Sequence, residues 1–161
     1  MGNQIRLEPF EMRMAKFVAH ERNNQSHDMG LEAGHGLVSA SGGVGENVTG
    51  ALGEMAFAKF KNLYWSGSVG TFKTGGDVGN IQVRSTNLLD RGMIIRADDR
   101  ENDVFVAVNN CAPVFFIRGW LYGHEAKQTE WRKNPGGRGF AWFVPQHALR
   151  PIETIELFAA T

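Results

Sequence analysis

The stretch Gly76-Asp77-Val78-Gly79-Asn80-Ile81-Gln82-Val83-Arg84-Ser85-Thr86 constrains the fold of this chain more than any other. A glycine-rich turn delivers an acidic residue, and a short alternating run follows. In an extended strand successive side chains point to opposite faces. Gln82, Arg84 and Thr86 therefore share one side, and Ile81 and Val83 the other. The apolar pair can anchor a sheet while the polar row remains available for chemistry.

Upstream, Gly53-Glu54-Met55-Ala56-Phe57-Ala58-Lys59-Phe60 reads as helix with one carboxylate among apolar neighbours. Asn47 can cap this helix, which is expected to run to about Leu63. Val48, Ala51, Leu52, Met55, Ala56, Phe60 and Leu63 form its buried stripe, widened by Phe57 and Ala58. Ala51, Phe57 and Ala58 stand at helical-neighbour spacing from Glu54, so its carboxylate is partly desolvated and calls for a cation. The plainer reading is a helix-surface glutamate. The alternation predicts that Gln82 and Arg84 lie on the sheet face that meets this helix.

The rest of the chain supplies a body for these two elements. At 161 residues it is expected to form one domain, 1–161, with a real core. Pro9 opens a helix to about residue 22, with Phe10, Met14, Phe17 and Val18 packed on the body. From 23 to 45 Gly, Ser, Asn and His dominate without periodicity. That stretch reads as a long flexible loop, with His27 and His35 as solvated loop histidines. Strands are expected at Val69–Lys73, Asn80–Thr86, Met93–Ala97, Asp103–Asn109 and Pro113–Tyr122. Gly123–Lys127 can form a helical turn, with His124 and Glu125 at a solvated start. Trp131–Gly139 reads as a basic, flexible loop, and Ala141–Val144 as an edge strand stopped by Pro145. A turn of helix at Gln146–Arg150 and an apolar element at Ile152–Phe158 close the chain. The fold class is α/β (α+β), a mixed sheet of four to five strands flanked by helices.

Composition narrows the function classes. Lys plus Arg and Asp plus Glu each number 17, so the formal net charge is zero. That argues against strong non-specific nucleic-acid affinity, which comes mainly from neutralising phosphates, but leaves room for a local basic groove. Cys111 is the only cysteine, which excludes a disulfide framework and a Cys/His zinc cluster. No apolar run approaches the roughly 20 residues a bilayer span needs, and the N-terminal residues show no signal-peptide pattern. A cytoplasmic protein without a membrane partner is expected.

Helix Glu, then Asp, then a strand of the form acid/amide-x-base: this order resembles the PD-(D/E)XK nuclease superfamily, and within it the small nuclease-like proteins of tailed phages and prophages. The resemblance covers roughly Asn47 to Lys127, loosely extended to Trp142–Pro145. It implies a restriction-endonuclease-like core at about 47–127, Mg²⁺ or Mn²⁺ as cofactor, and DNA as substrate in the host cytoplasm. Phage genome processing or recombination is the implied setting, with a second copy of the chain or other phage proteins as further partners. The helix glutamate of the family pattern falls on Glu54, the first acid on Asp77, the second on Gln82 and the lysine on Arg84. Glu54, Asp77 and Gln82 are then the implied metal ligands, with Arg84 orienting the nucleophile. Lys59, Thr86, Lys127, Arg132, Lys133 and Arg138 are the candidate nucleic-acid contacts.

Two departures bear on activity. Gln82 removes one ligand charge, and Arg84 keeps its charge permanently and forks onto phosphate but is a poor proton-transfer partner. The spacing also puts Asp77 at the turn into the same strand instead of on a neighbouring one. Asp77 as a plain turn residue and Arg84 as a structural partner of Glu54 are the bland alternatives. The alternative function is a catalytically inactive nuclease-fold module that binds nucleic acid or belongs to the virion.

Overall fold

A computed structural model describes residues 3–28, 44–67, 76–137 and 139–156. The expected strand at Val69–Lys73, most of the 23–45 loop including His35, the end of the Ile152–Phe158 element and Arg138 lie outside these residues.

Two helices pack against a mixed sheet, confirming the α/β class. The elements run β1 (Gln4–Arg6), α1 (Pro9–Asp28), α2 (Val44–Phe60), β2 (Ile81–Thr86), β3 (Met93–Arg96), β4 (Val104–Cys111), β5 (Val114–Tyr122), α3 (Gly123–Ala126), β6 (Arg132–Lys133) and β7 (Ala141–Val144). The larger sheet has the order β1-β5-β4-β2, with β2 parallel to β4 and the other pairs antiparallel. Three strands, β3-β7-β6, form a second, antiparallel sheet.

Alternation along β2 and β4 divides the molecule into two cores. Ile81 and Val83 join Val104, Val106 and Val108 beneath α2, with Ala15 and Ala19 of α1 in the same cluster. Phe105, Ala107 and Leu121 face the other way and pack with Met93, Ile95 and Val144 of the small sheet. The long helices thus cover one face of the larger sheet, and the small sheet covers the other. Every residue of α2 from Ala51 to Ala58 is buried, as expected of a helix that is apolar nearly all round.

Several boundaries and faces differ from the sequence expectations. The helix α1 continues to Asp28, because the chain meets no glycine or proline before Gly30. It also turns the opposite face inward. Phe10, Met14 and Phe17 are exposed, while Ala15 and Ala19 are fully buried, small residues letting α1 lie close to α2. The start of α2 is Val44, three residues ahead of Asn47. Ala141–Val144 is the central strand of its sheet, because Arg132–Lys133, expected in the basic loop, pairs with its second edge. β1 went unforeseen, since three residues carry no usable periodicity, yet it extends the sheet beyond β5. No helix among the described residues is long and apolar enough to cross a membrane.

Candidate active site

Among the described residues Glu54 is the one acidic residue buried in the core, with 5% of its surface exposed. Burying an unpaired carboxylate is costly, so its partners decide whether α2 can pack at all. Arg22 supplies them. Its Nη1 donates to Glu54 Oε2 at 2.8 Å and its Nη2 to Oε1 at 3.0 Å, a forked geometry suited to carboxylate. Trp65 Nε1 donates to the same Oε1 at 3.1 Å. Arg22 reaches the site because Ala15, Ala19 and Arg22 fall on one helical face at i, i+4 and i+7. The small residues bring α1 in close, and the arginine one turn further on meets the glutamate.

Asp77 acts from the turn before β2. The chain reverses between Val78 and Ile81, which form a bridge, and Asp77 N–H donates to Ile81 O at 2.8 Å. This folds the Asp77 side chain along the outer edge of β2, where its Oδ2 accepts the Val83 N–H at 2.8 Å. Asp77 also lends its charge to Arg22. Burial lowers the Arg22 pKa, but the hydrogen bonds and charge of Glu54, with the charge of Asp77 behind them, outweigh it and hold the guanidinium above its ordinary value. The helix carboxylate is thus bonded to Arg22, and the charge of the turn carboxylate acts on the same guanidinium.

Gln82 and Arg84 do not lie beneath α2. In the parallel register Gln82 stands opposite Phe105 and Arg84 opposite Ala107, on the face that meets the small sheet. The apolar side of β2 won the helix, because Ile81 and Val83 complete the core under α2 and a polar row there would have been buried without partners. Arg84 pairs with Asp99, not Glu54, and lies over the Phe105 ring. Asp99 fixes the β3–β4 turn as well, since its Oδ2 accepts the Arg96 N–H at 2.8 Å.

The remaining candidates divide between scaffold and surface. Lys59 donates to Glu11 Oε1 and to Arg6 O, each at 2.7 Å, tying α2 to the N-terminal segment. Lys127 donates to Asp99 O at 2.8 Å and lies over the Trp142 ring. Thr86 Oγ1 accepts the Leu88 N–H at 3.2 Å. Arg132 and Lys133 are exposed, with Arg132 stacked over Phe140. Sequence reasoning missed Arg22 and Trp65, and the signal that could have found Arg22 is its register with Ala15 and Ala19.

Mg²⁺ is held by one or two carboxylates together with waters and substrate phosphates. Here both Glu54 oxygens accept from Arg22, Oε1 also from Trp65, and Asp77 Oδ2 accepts from Val83. Gln82 sits on the other side of the sheet from α2, and no group of three or more His, Cys, Asp or Glu that could hold a metal occurs among the described residues. Comparison with family models, with curated proteins and with solved structures finds no match to this chain.

Proposed function

We propose that this chain is a Mg²⁺- or Mn²⁺-dependent nuclease that hydrolyses DNA phosphodiester bonds, with Glu54 and Asp77 as its metal carboxylates. One observation carries the reading: a buried helix carboxylate is forked onto the Arg22 guanidinium, and the charge of the turn carboxylate Asp77 acts on the same group. A bound ion supplies an activated water and neutralises charge developing on phosphorus. Glu54 and Asp77 offer the hard oxygens, and Trp65 fixes the orientation of the Glu54 carboxylate. Arg22, already at the carboxylates, can fork onto a phosphate oxygen and stabilise its charge. The order of Glu54, Asp77, Gln82 and Arg84 in the chain, similar to the PD-(D/E)XK pattern, supports the same reading.

The test is cleavage of labelled single-stranded, duplex, flap and junction DNA with Mg²⁺ or Mn²⁺ titrated. Asp77→Ala and Glu54→Gln are each expected to abolish metal-dependent cleavage by the wild type. No cleavage by the wild type on any substrate, with no metal-dependent stabilisation, overturns the proposal. A second reading, the non-catalytic nucleic-acid-binding module, is favoured by the Arg84–Asp99 pair, which engages the strand cation away from the carboxylates. That outcome predicts DNA binding without turnover.

A further inference from the structure

We propose that a cleft between the first turns of α2 and the β2–β3 segment binds the phosphodiester backbone of a DNA strand. This rests on the preceding reading only in taking DNA as the strand. The cleft has a volume of about 690 Å³, and Arg84, Arg91 and Arg96 line it together with Ser85 and Thr86. Among the described residues, no carboxylate and no aromatic ring lines it. Guanidiniums and hydroxyls without an acid select an anion, and the lack of rings removes the platform on which a base would stack. Such a wall makes backbone contacts, which position a strand without reading its sequence.

The arginines stand on fixed backbone. Arg91 O accepts from Asn109 Nδ2 at 3.2 Å and from Gln146 Nε2 at 2.9 Å, while the residue itself is exposed. Arg96 N–H is held by Asp99, and its side chain is likewise exposed. Neither guanidinium makes an ion pair among the described residues. Arg84 gives one nitrogen to Asp99, yet its Nε is buried without a hydrogen-bond partner among the described residues, as is Ser85 Oγ. Gly45 of the first turn of α2 lines the same cleft, at the end where the helix dipole favours an anion. Gly50, also on the wall, lies one helical turn before Glu54, so a strand in this cleft leads toward the carboxylate pair.

The test is binding of labelled DNA, single-stranded and duplex, measured by anisotropy in EDTA so that cleavage does not contribute. Arg91→Gln/Arg96→Gln is compared with Arg13→Gln/Lys16→Gln, which removes the same charge from the exposed side of α1. The cleft variant is expected to lose about tenfold or more in affinity at low salt, and its slope of log K against log salt to fall by about one to two units. The α1 variant is expected to bind like the wild type. Equal binding by the cleft variant, equal loss in both variants, or no DNA binding by the wild type at low salt overturns the proposal. Clearly tighter binding of RNA of the same sequence overturns the assignment to DNA. Metal-dependent cleavage alongside normal binding by the cleft variant removes this inference alone. Binding lost in that variant, with a wild type that cuts nothing, removes the nuclease reading alone.

Discussion

Arg22 and Glu54, 32 positions apart in the chain, meet as a two-pronged ion pair that is almost wholly removed from water. The pair joins α1 to α2 and simultaneously sets the charge at the candidate metal centre. Removing one partner of a buried pair is far more damaging than replacing both, because the survivor is left uncompensated.

Arg22→Ala is therefore expected to destabilise the fold by about 3 kcal/mol, near the lower end for such pairs since the Arg22 side chain keeps some contact with water. Arg22→Met combined with Glu54→Gln should recover most of that loss. If Glu54 and Asp77 hold an ion, Arg22→Ala also frees the Glu54 carboxylate and removes a positive charge that Asp77 feels. Mg²⁺ should then raise the melting temperature of Arg22→Ala more than that of the wild type. Urea unfolding and thermal melts with Mg²⁺ titrated give both readouts, and an equal Mg²⁺ response would count against a shared ion site.

Gly53, beside Glu54, is where α2 touches β2 most closely. A Cβ on Gly53 would lie 1.7 Å from Ser85 Oγ and 2.8 Å from Ser85 Cβ. Rotation of the Ser85 side chain can relieve the first contact, but the Cβ contact is relieved only by moving helix and strand apart. Gly53→Ala is expected to cost roughly 1–3 kcal/mol by overpacking, despite the better helix propensity of alanine. Ser85→Gly should rescue a large part of it, and a double-mutant cycle on unfolding free energies measures the coupling. Additive effects would show that the helix has room to shift.

Acid sensitivity should trace in part to Glu11. Burial pushes its carboxyl up, but the Glu8 N–H hydrogen bond and Lys59 outweigh that and hold it below the ordinary value. A folded pKa below the unfolded one means stability that is fully present above the unfolded value, about 4.3 for a glutamate, and lost as pH falls through the folded value. Glu11→Gln should cost about 1 kcal/mol at neutral pH and leave a shallower acid limb. Unfolding midpoints collected from neutral pH into the acid range test this, and parallel curves for the two proteins would refute it.

What could be read from the chain followed the strength of local pattern. The bounds of β2 and the desolvation of Glu54 were legible because alternation and helical spacing are each set by neighbouring residues. The inward face of α1 was not. Phe10, Met14 and Phe17 give the stronger apolar signal, but close approach to α2 selects Ala15 and Ala19, and small residues are quiet in a hydrophobicity pattern. Arg22 was hidden by the same error. The face of β2 that meets α2 was likewise undetermined by alternation, which separates two faces but does not say which one the helix takes. The Arg84–Asp99 pair depends on how the β3–β4 turn folds back, a tertiary matter.

Asp77 has a consequence for behaviour in solution as well as for chemistry. Among the described residues β2 is the last strand of its sheet, and such a strand offers its unpaired amides as a template on which another chain can add. The turn at Val78–Ile81 occupies the N–H and C=O of Ile81, and the Asp77 carboxylate occupies the N–H of Val83. A negative charge set on that edge also repels a neighbour's carbonyl row. The residue placed to hold an ion thus doubles as a guard against strand addition, and its loss would favour self-association before it favoured unfolding.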